Sequence, residues 1–374
     1  PYGQIAPVGG HQPLSPRGHA ADFQETMKKL FSIFAVATML AACTTKQSNT
    51  KDMNQLSFTT EQATCMSAIA CNEAKGDLVA LESAIHGGLE AELTVSQIKE
   101  ALSQLYAYTG FPRSLNALGV LQNVVESRKS KDKRVIMGED PTPLSDDFDA
   151  LKEGTRVQTQ LTGKPCNYEF APATDYYLKA HLFGDIFARD NLTYADRELV
   201  TVSALSGLQG VEPQLKAHIA GARNMGVTEE QLQGIVVALA ANGLLDEAGR
   251  LAKNYEELST SNSPTSLNSQ HSTLNSPWPQ GKPNDAYAQY FVGQSFLQPY
   301  YGGVANVTFE PRCRNDWHIH HGAVQVLICV SGKGWYQEWG KPAVPLTPGT
   351  VIAIPEGVKH WHGAAADSWM QHLA

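Results

Sequence analysis

No Cys-x-x-Cys pair occurs anywhere in the 374 residues. The six cysteines, Cys43, Cys65, Cys71, Cys166, Cys313 and Cys329, are scattered, and their spacing gives no disulfide framework. Isolated buried thiols are the expectation for most of them. Basic residues are in short supply as well. The chain has 29 Lys and Arg against 37 Asp and Glu, a net charge of -8, and no basic patch. Nucleic acid is therefore not an expected partner. The apolar run in MKKLFSIFAVATMLAAC, Met27–Cys43, is too short to span a bilayer as a stable helix. Its two lysines, short apolar stretch and closing small residues match a secretory signal instead. What is present is length enough for two or three domains.

A cysteine directly after Leu40-Ala41-Ala42 resembles the lipobox of bacterial lipoproteins. That resemblance implies cleavage before Cys43, lipidation of its thiol and a membrane anchor. The protein is then expected in the bacterial cell envelope, facing the periplasm or the exterior. Residues 1–26, rich in Pro, Gly and His, are expected to lie upstream of the fold. The polar stretch TTKQSNTKDMNQ after Cys43 is expected to be a flexible tether.

Residues 55–127 show apolar positions at three- and four-residue intervals, which predicts helices. Thr94 is a candidate N-cap, and Gly110 a stop before Pro112. The charged, Pro-containing stretch that follows predicts a connector over 128–174. Helical periodicity returns over 175–257. A Ser/Asn/Pro-rich linker is expected over 258–284, and β-branched and aromatic runs with Gly turns fill 285–374. The two helical parts form a repeat. LSFTTEQATCMSAIA from Leu56 aligns with LTYADRELVTVSALS from Leu192, and LTVSQIKEAL from Leu93 with VTEEQLQGIV from Val227. These alignments set Gln62 opposite Glu198 and Ala84 opposite His218.

Glu198 lies in the apolar run RELVTVSAL, where burying a carboxylate is costly without a partner. With Arg197 beside it and pointing elsewhere, an exposed helix face is the plain alternative. His218 follows one helical hairpin later and can supply that partner. A Glu–His pair in an apolar pocket can act as general base and proton relay. The stretch from His181 to Leu232, with QLYAYTGFPRSLNAL in the first copy, resembles the carboxymuconolactone decarboxylase family. The resemblance spans about residues 55–255. It implies an all-α repeat pair with no cofactor, assembled as homo-oligomeric trimers or hexamers with sites between subunits. It makes Glu198 and His218 the catalytic residues, assisting proton transfer as carbon dioxide leaves. The family's alkylhydroperoxidase-like branch needs a Cys-x-x-Cys pair that is missing here. Cys65 and Cys71, six apart in the other copy, do not replace it.

Near the C-terminus, WHIHHGAVQVLICVSGKG and PGTVIAIPEGVKHWHG carry a second cluster. His318 and His320 alternate, so on a strand both face one side. Gln325 follows, and His360 arrives after the Pro355-Glu356-Gly357 turn. Three imidazoles and an amide oxygen suit a divalent transition metal; a His-rich strand edge without metal is the alternative. The spacing resembles the two cupin motifs, with Gln325 where many cupins have glutamate. That implies a small all-β barrel holding Mn, Fe, Zn or Ni through His318, His320, Gln325 and His360. Replacing a glutamate ligand by Gln325 would leave more charge on the metal and make it a stronger Lewis acid. His321 is extra. His362 shares a face with His360 and is either a substrate contact or a supporting or surface residue. The chain stops inside the alternating stretch Met370–Ala374, which predicts an unpaired barrel edge at a truncated end.

The expected whole is a multidomain, exported fusion: a helical repeat pair followed by a metal-binding cupin. Its expected activity is decarboxylase, lyase or peroxiredoxin-like oxidoreductase chemistry on a small carbonyl or carboxylate compound. One alternative puts lyase or oxygenase chemistry in the cupin alone, with the helices as an oligomerising scaffold. Another is a non-catalytic binding module of the envelope.

Overall fold

A computed structural model describes residues 52–261, 274 and 276–374. Residues 1–26, the run Met27–Cys43 expected to be a signal, and most of the Ser/Asn-rich stretch lie outside the described residues. Among the described residues no helix is long and apolar enough to cross a membrane.

The first helical copy consists of α1 (Thr60–Lys75), α2 (Leu78–Glu90), α3 (Val95–Thr109) and α4 (Phe111–Ser130). Then come α5 (Ala150–Thr162) and α6 (Pro172–Tyr176), which runs on as a π-helix over Tyr177–Ile186. The second copy consists of α7 (Tyr194–Gly207), α8 (Glu212–Asn224), α9 (Glu229–Ala241) and α10 (Leu245–Ser261). The helices start at 60, 78, 95 and 111 in one copy and at 194, 212, 229 and 245 in the other, a constant offset of 134. Capping boxes fix this register. Thr59 with Gln62 and Thr94 with Gln97 cap α1 and α3, and Thr193 with Asp196 and Thr228 with Gln231 cap α7 and α9. The alignment of Leu56 on Leu192 is therefore two residues out. The repeated Ser-Ala pairs drew it there, whereas the caps determine where the helices begin. Thr64, not Gln62, stands opposite Glu198. The copies pack through α1 and α7, whose Met66, Ile69, Leu199 and Val202 share one apolar core.

The stretch 128–174, expected as a connector, contains α5. Asp149 caps it, and Val157 and Leu161 anchor a small core with Phe183 and Phe187. Its buried positions Gly154, Val157, Gln158 and Leu161 keep helical spacing, but only two of the four are hydrophobic, so the sequence signal is weak. Gly154 is there for close approach: a Cβ on it would collide with the Lys179 carbonyl oxygen and sit 2.6 Å from Gly184 N. Gly154→Ala is expected to destabilise the protein by about 3 kcal/mol in urea unfolding, as overpacking does. An unchanged midpoint would mean that the two helices separate freely.

The C-terminal part has two antiparallel sheets. One orders β1 (Lys282–Pro283), β3 (Ser295–Pro299), β4 (Ala305–Phe309), β11 (Met370–Leu373), β6 (Gln325–Gly332) and β9 (Val351–Ile354). The other orders β2 (Phe291–Val292), β5 (Arg314–Asn315), β10 (His360–Ala364), β7 (Gly334–Glu338) and β8 (Val344–Leu346). Phe309, Leu327, Tyr336, Ile354 and Met370 join both sheets in one core. Two expectations change. β11 is hydrogen-bonded on both sides, to β4 and β6, so the open edge expected beside it is not found. The β part also begins before 285, since β1 pairs with β3, and Trp278 of the expected linker is 2 % exposed against Tyr255.

The helices and sheets are packed together. Ile328 and Val330 of β6 and Leu373 of β11 lie in the same apolar core as Leu251 and Ala252 of α10. At this seam the Ser331 hydroxyl donates to Glu256 Oε1 over 2.8 Å. Burial pushes the Glu256 carboxyl up to about 7. The folded chain holds that proton more tightly than the unfolded one, so stability falls as pH rises from about 4.5 to about 7. Glu256→Gln is expected to add about 2–3 kcal/mol above pH 7 and almost nothing below pH 4.5, read from melting curves at both pH values.

Candidate metal centre and a buried glutamate–histidine pair

His318 and His360 are joined by a pair of backbone hydrogen bonds, each 3.0 Å, that lays the 318–320 segment along the start of β10. The segment is extended, and Gln325 opens β6 after the bend at 321–323. His318, His320 and His360 thereby offer ring nitrogens that all lie within 4.8 Å of one another. Backbone carbonyls fix two of the rings: His318 Nδ1 lies 2.8 Å from Asp316 O, and His360 Nδ1 lies 2.9 Å from Val358 O. A carbonyl only accepts, so each Nδ1 carries the proton and each Nε2 keeps its lone pair. His360 Nε2 faces Gln325 Oε1 at 2.9 Å, one lone-pair atom against another. Among the described residues His320 Nε2 is buried with no close hydrogen-bond partner, although the Gln325 side chain acts on the ring. Burial and the neighbouring histidines hold the His320 and His360 rings below their usual range, hence neutral. Neutral imidazoles with free Nε2 atoms around an amide oxygen fit a transition metal, and His318, His320, Gln325 and His360 are the residues that would hold it.

Three of these residues, His318, His320 and Gln325, open on a cavity of about 340 Å³ walled by Tyr287, Tyr290, Phe291 and Phe309. His362 and His372 line it too. His362 is thus not a surface residue: it is 3 % exposed, and Asn315 Nδ2 donates to its Nε2 over 2.9 Å. Its Nδ1 has no partner. Burial, and then His372, hold its ring well below the usual range. His372 and Asn315 were not singled out from the sequence. The signal for His372 was its place on the alternating terminal strand, where it packs 4.8 Å from the His362 ring. Its Nδ1 lies 3.3 Å from the Leu373 carbonyl, and its Nε2 is unpartnered. Burial lowers its pKa to about 4. Asn315 gave no signal, because only the pairing of β5 with β10 sets it beside His362. His321 lies on the bend and does not line this cavity.

In the helices, α7 and α8 bring Glu198 and His218 together, with His218 Nδ1 2.8 Å from Glu198 Oε2. Glu198 is fully buried, not on an exposed face, and its Oε1 has no partner. Tyr108 sets its ring edge-on to His218 at 5.5 Å, and burial raises its hydroxyl above the usual range. Arg197 is also fully buried, donating to Glu100 Oε1 and Gln104 Oε1 at 2.9 Å each. Neither Glu198 nor His218 lines the cupin cavity or the cavity beside α1 and α9. The first copy has Thr64 and Ala84 in their places. Cys65, Cys71, Cys166, Cys313 and Cys329 are all free, and burial pushes the Cys71 thiol up to about 12, where it is unreactive.

A two-sheet fold with three converging histidines, packed on a helical repeat with a buried Glu–His pair, defines a cupin joined to an all-α decarboxylase-type domain. Residues 172–252 match the model of the carboxymuconolactone decarboxylase family, and residues 305–373 match that of a cupin domain. Over 94 residues it is 39% identical to the (R)-mandelonitrile lyase of Granulicella tundricola, covering 23% of this chain and 71% of that protein. Over 98 residues it is 28% identical to the 4-carboxymuconolactone decarboxylase of Acinetobacter baylyi, covering 24% of this chain and 72% of that one. A cupin-like protein from Thermotoga maritima, known by its crystal structure, is 38% identical, covering 26% of this chain and 76% of that one, with a TM-score of 0.24.

Proposed function

We propose that this protein is a lyase acting in its cupin cavity on a small hydroxy or carbonyl compound with an aromatic or apolar body. The observation that carries this reading is the convergence of the His318, His320 and His360 ring nitrogens within 4.8 Å of one another, with His360 Nε2 2.9 Å from Gln325 Oε1. The likeness to a mandelonitrile lyase supports cleavage of a carbon–carbon bond beside a hydroxyl-bearing carbon. A bound divalent metal would supply Lewis-acid polarisation of the substrate oxygen. The chain does the rest. Phe291 and Phe309 pack the apolar body. His372 Nε2 takes the hydroxyl proton as the carbon–oxygen double bond forms and the carbon–carbon bond breaks, its electrons leaving with the departing carbanion. The same nitrogen then returns the proton to that group. A ring titrating at about 4 is neutral, and so able to accept, at pH 7. His362 Nδ1, protonated because its Nε2 accepts from Asn315, is placed to donate a hydrogen bond.

A second reading is favoured by the unpartnered Glu198 Oε1: a decarboxylase site completed between subunits of a trimer or hexamer. Export with a lipid anchor at Cys43 belongs to the same proposal and is tested by mass analysis of the mature N-terminus. The function is tested by metal analysis and a screen of aromatic hydroxynitriles and of hydroxy-, keto- and lactone-carboxylates. His372→Ala is expected to keep the metal and lower turnover by about 10²–10⁴-fold. Glu198→Gln should leave turnover within about tenfold. A collapse of turnover in Glu198→Gln at wild-type metal content transfers the chemistry to the helices.

A further inference from the structure

Away from both sites, a cavity of about 440 Å³ lies where α1, α9 and the β3–β4 loop of the cupin meet. That is within the usual range of ligand pockets, about 300–1,000 Å³. Phe58, Leu199 and Ile235 give it apolar walls, and it shares no lining residue with the cupin cavity. Two of its lining residues, Ser67 and Tyr300, carry hydroxyls buried in the cavity wall with no hydrogen-bond partner among the described residues. Ser67 is 1 % exposed. An unpaired buried hydroxyl is costly, and two around one cavity indicate a missing polar partner. Burial pushes the Tyr300 hydroxyl up to about 12, so it stays protonated and can donate. Among the described residues the one charged lining residue is Glu230, which disfavours an anion. The cupin closes this cavity with a tight turn. Gly302 and Gly303 adopt positive φ, and a Cβ on Gly302 would press on Ala241 at 3.0 Å.

We propose that this cavity binds a small neutral molecule with an aromatic or alicyclic body and one hydroxyl or carbonyl, which hydrogen-bonds Ser67 and Tyr300. Because both domains line the site, occupancy strengthens their union and raises the melting temperature. Gly234 provides a clean block. It lies inside α9, lines the cavity, and has nothing within 4 Å of an added Cβ. Gly234 is exposed at the rim of the cavity, so a leucine there is placed to cover its mouth, and it favours the helix more than glycine does.

The test is fluorescence titration of the full chain with 2-naphthol, alongside naphthalene and 2-naphthoate. One saturable site is expected, with 2-naphthoate at least about tenfold weaker. Gly234→Leu should abolish binding while its melting temperature without ligand is kept. Ser67→Ala and Tyr300→Phe should each weaken 2-naphthol by about three- to tenfold and leave naphthalene unchanged. These two variants decide the matter if Gly234→Leu fails to fold. Binding that survives in Gly234→Leu, that is lost only in His320→Ala, or that is indifferent to both hydroxyls overturns the proposal.

Discussion

His320→Ala is expected to empty the cupin centre of metal. His320 supplies a buried nitrogen with no close hydrogen-bond partner among the described residues, and burial holds its ring below the usual range. Removing even an outer partner of a metal ligand costs about 10–100-fold in affinity, so losing a ligand should cost more than about 100-fold. After dialysis against a weak chelator, elemental analysis should find metal in the wild type and almost none in the variant, and turnover should fall with it. His320 is partly exposed and outside the apolar cores, so the melting temperature of the metal-free forms should agree. Full metal occupancy in His320→Ala would remove the proposed ligand set. A wild type without metal after expression in metal-replete medium would sink the centre altogether.

His218→Ala is expected to be among the most damaging changes in the helical domain. Glu198 is fully buried, and His218 is the partner of one of its oxygens, the other having none. Deleting the imidazole strands a carboxylate in an apolar helix pair, a loss of about 3–5 kcal/mol. Glu198→Gln removes the charge and keeps the shape, so it should cost much less. The double variant should recover most of the His218→Ala loss, because the stranded charge is gone. Urea unfolding of the three variants measures this directly. Equal destabilisation by His218→Ala alone and in the double variant would show that packing, not charge, dominates.

The helical repeat could be recognised from the sequence because α3 and α9 keep their apolar period and their caps. Its register was read two residues out, because repeated small residues align as readily as caps do. Helix α5 keeps helical spacing on its buried face, but glycine and glutamine hold two of its four places, and only the meeting of Gly154 with the π-helix shows why. In the cupin, His318, His320, Gln325 and His360 stood out by spacing. His362 was left between substrate contact and surface, and His372 was not singled out at all. Their roles depend on which strands become neighbours. β11 enters the centre of its sheet and brings His372 against His362.

The sequence by itself determined the order of the parts, the Thr94 cap, the missing dithiol and the four candidate ligands. These are local matters of period, cap chemistry and residue type. Only the tertiary structure decided that Glu198 and Arg197 are buried, that His372 faces the cavity, and that the cupin packs on α10 in a shared core. Each depends on surfaces far apart in the chain meeting, and the free energy of burying them belongs to the pair of surfaces, not to either segment alone.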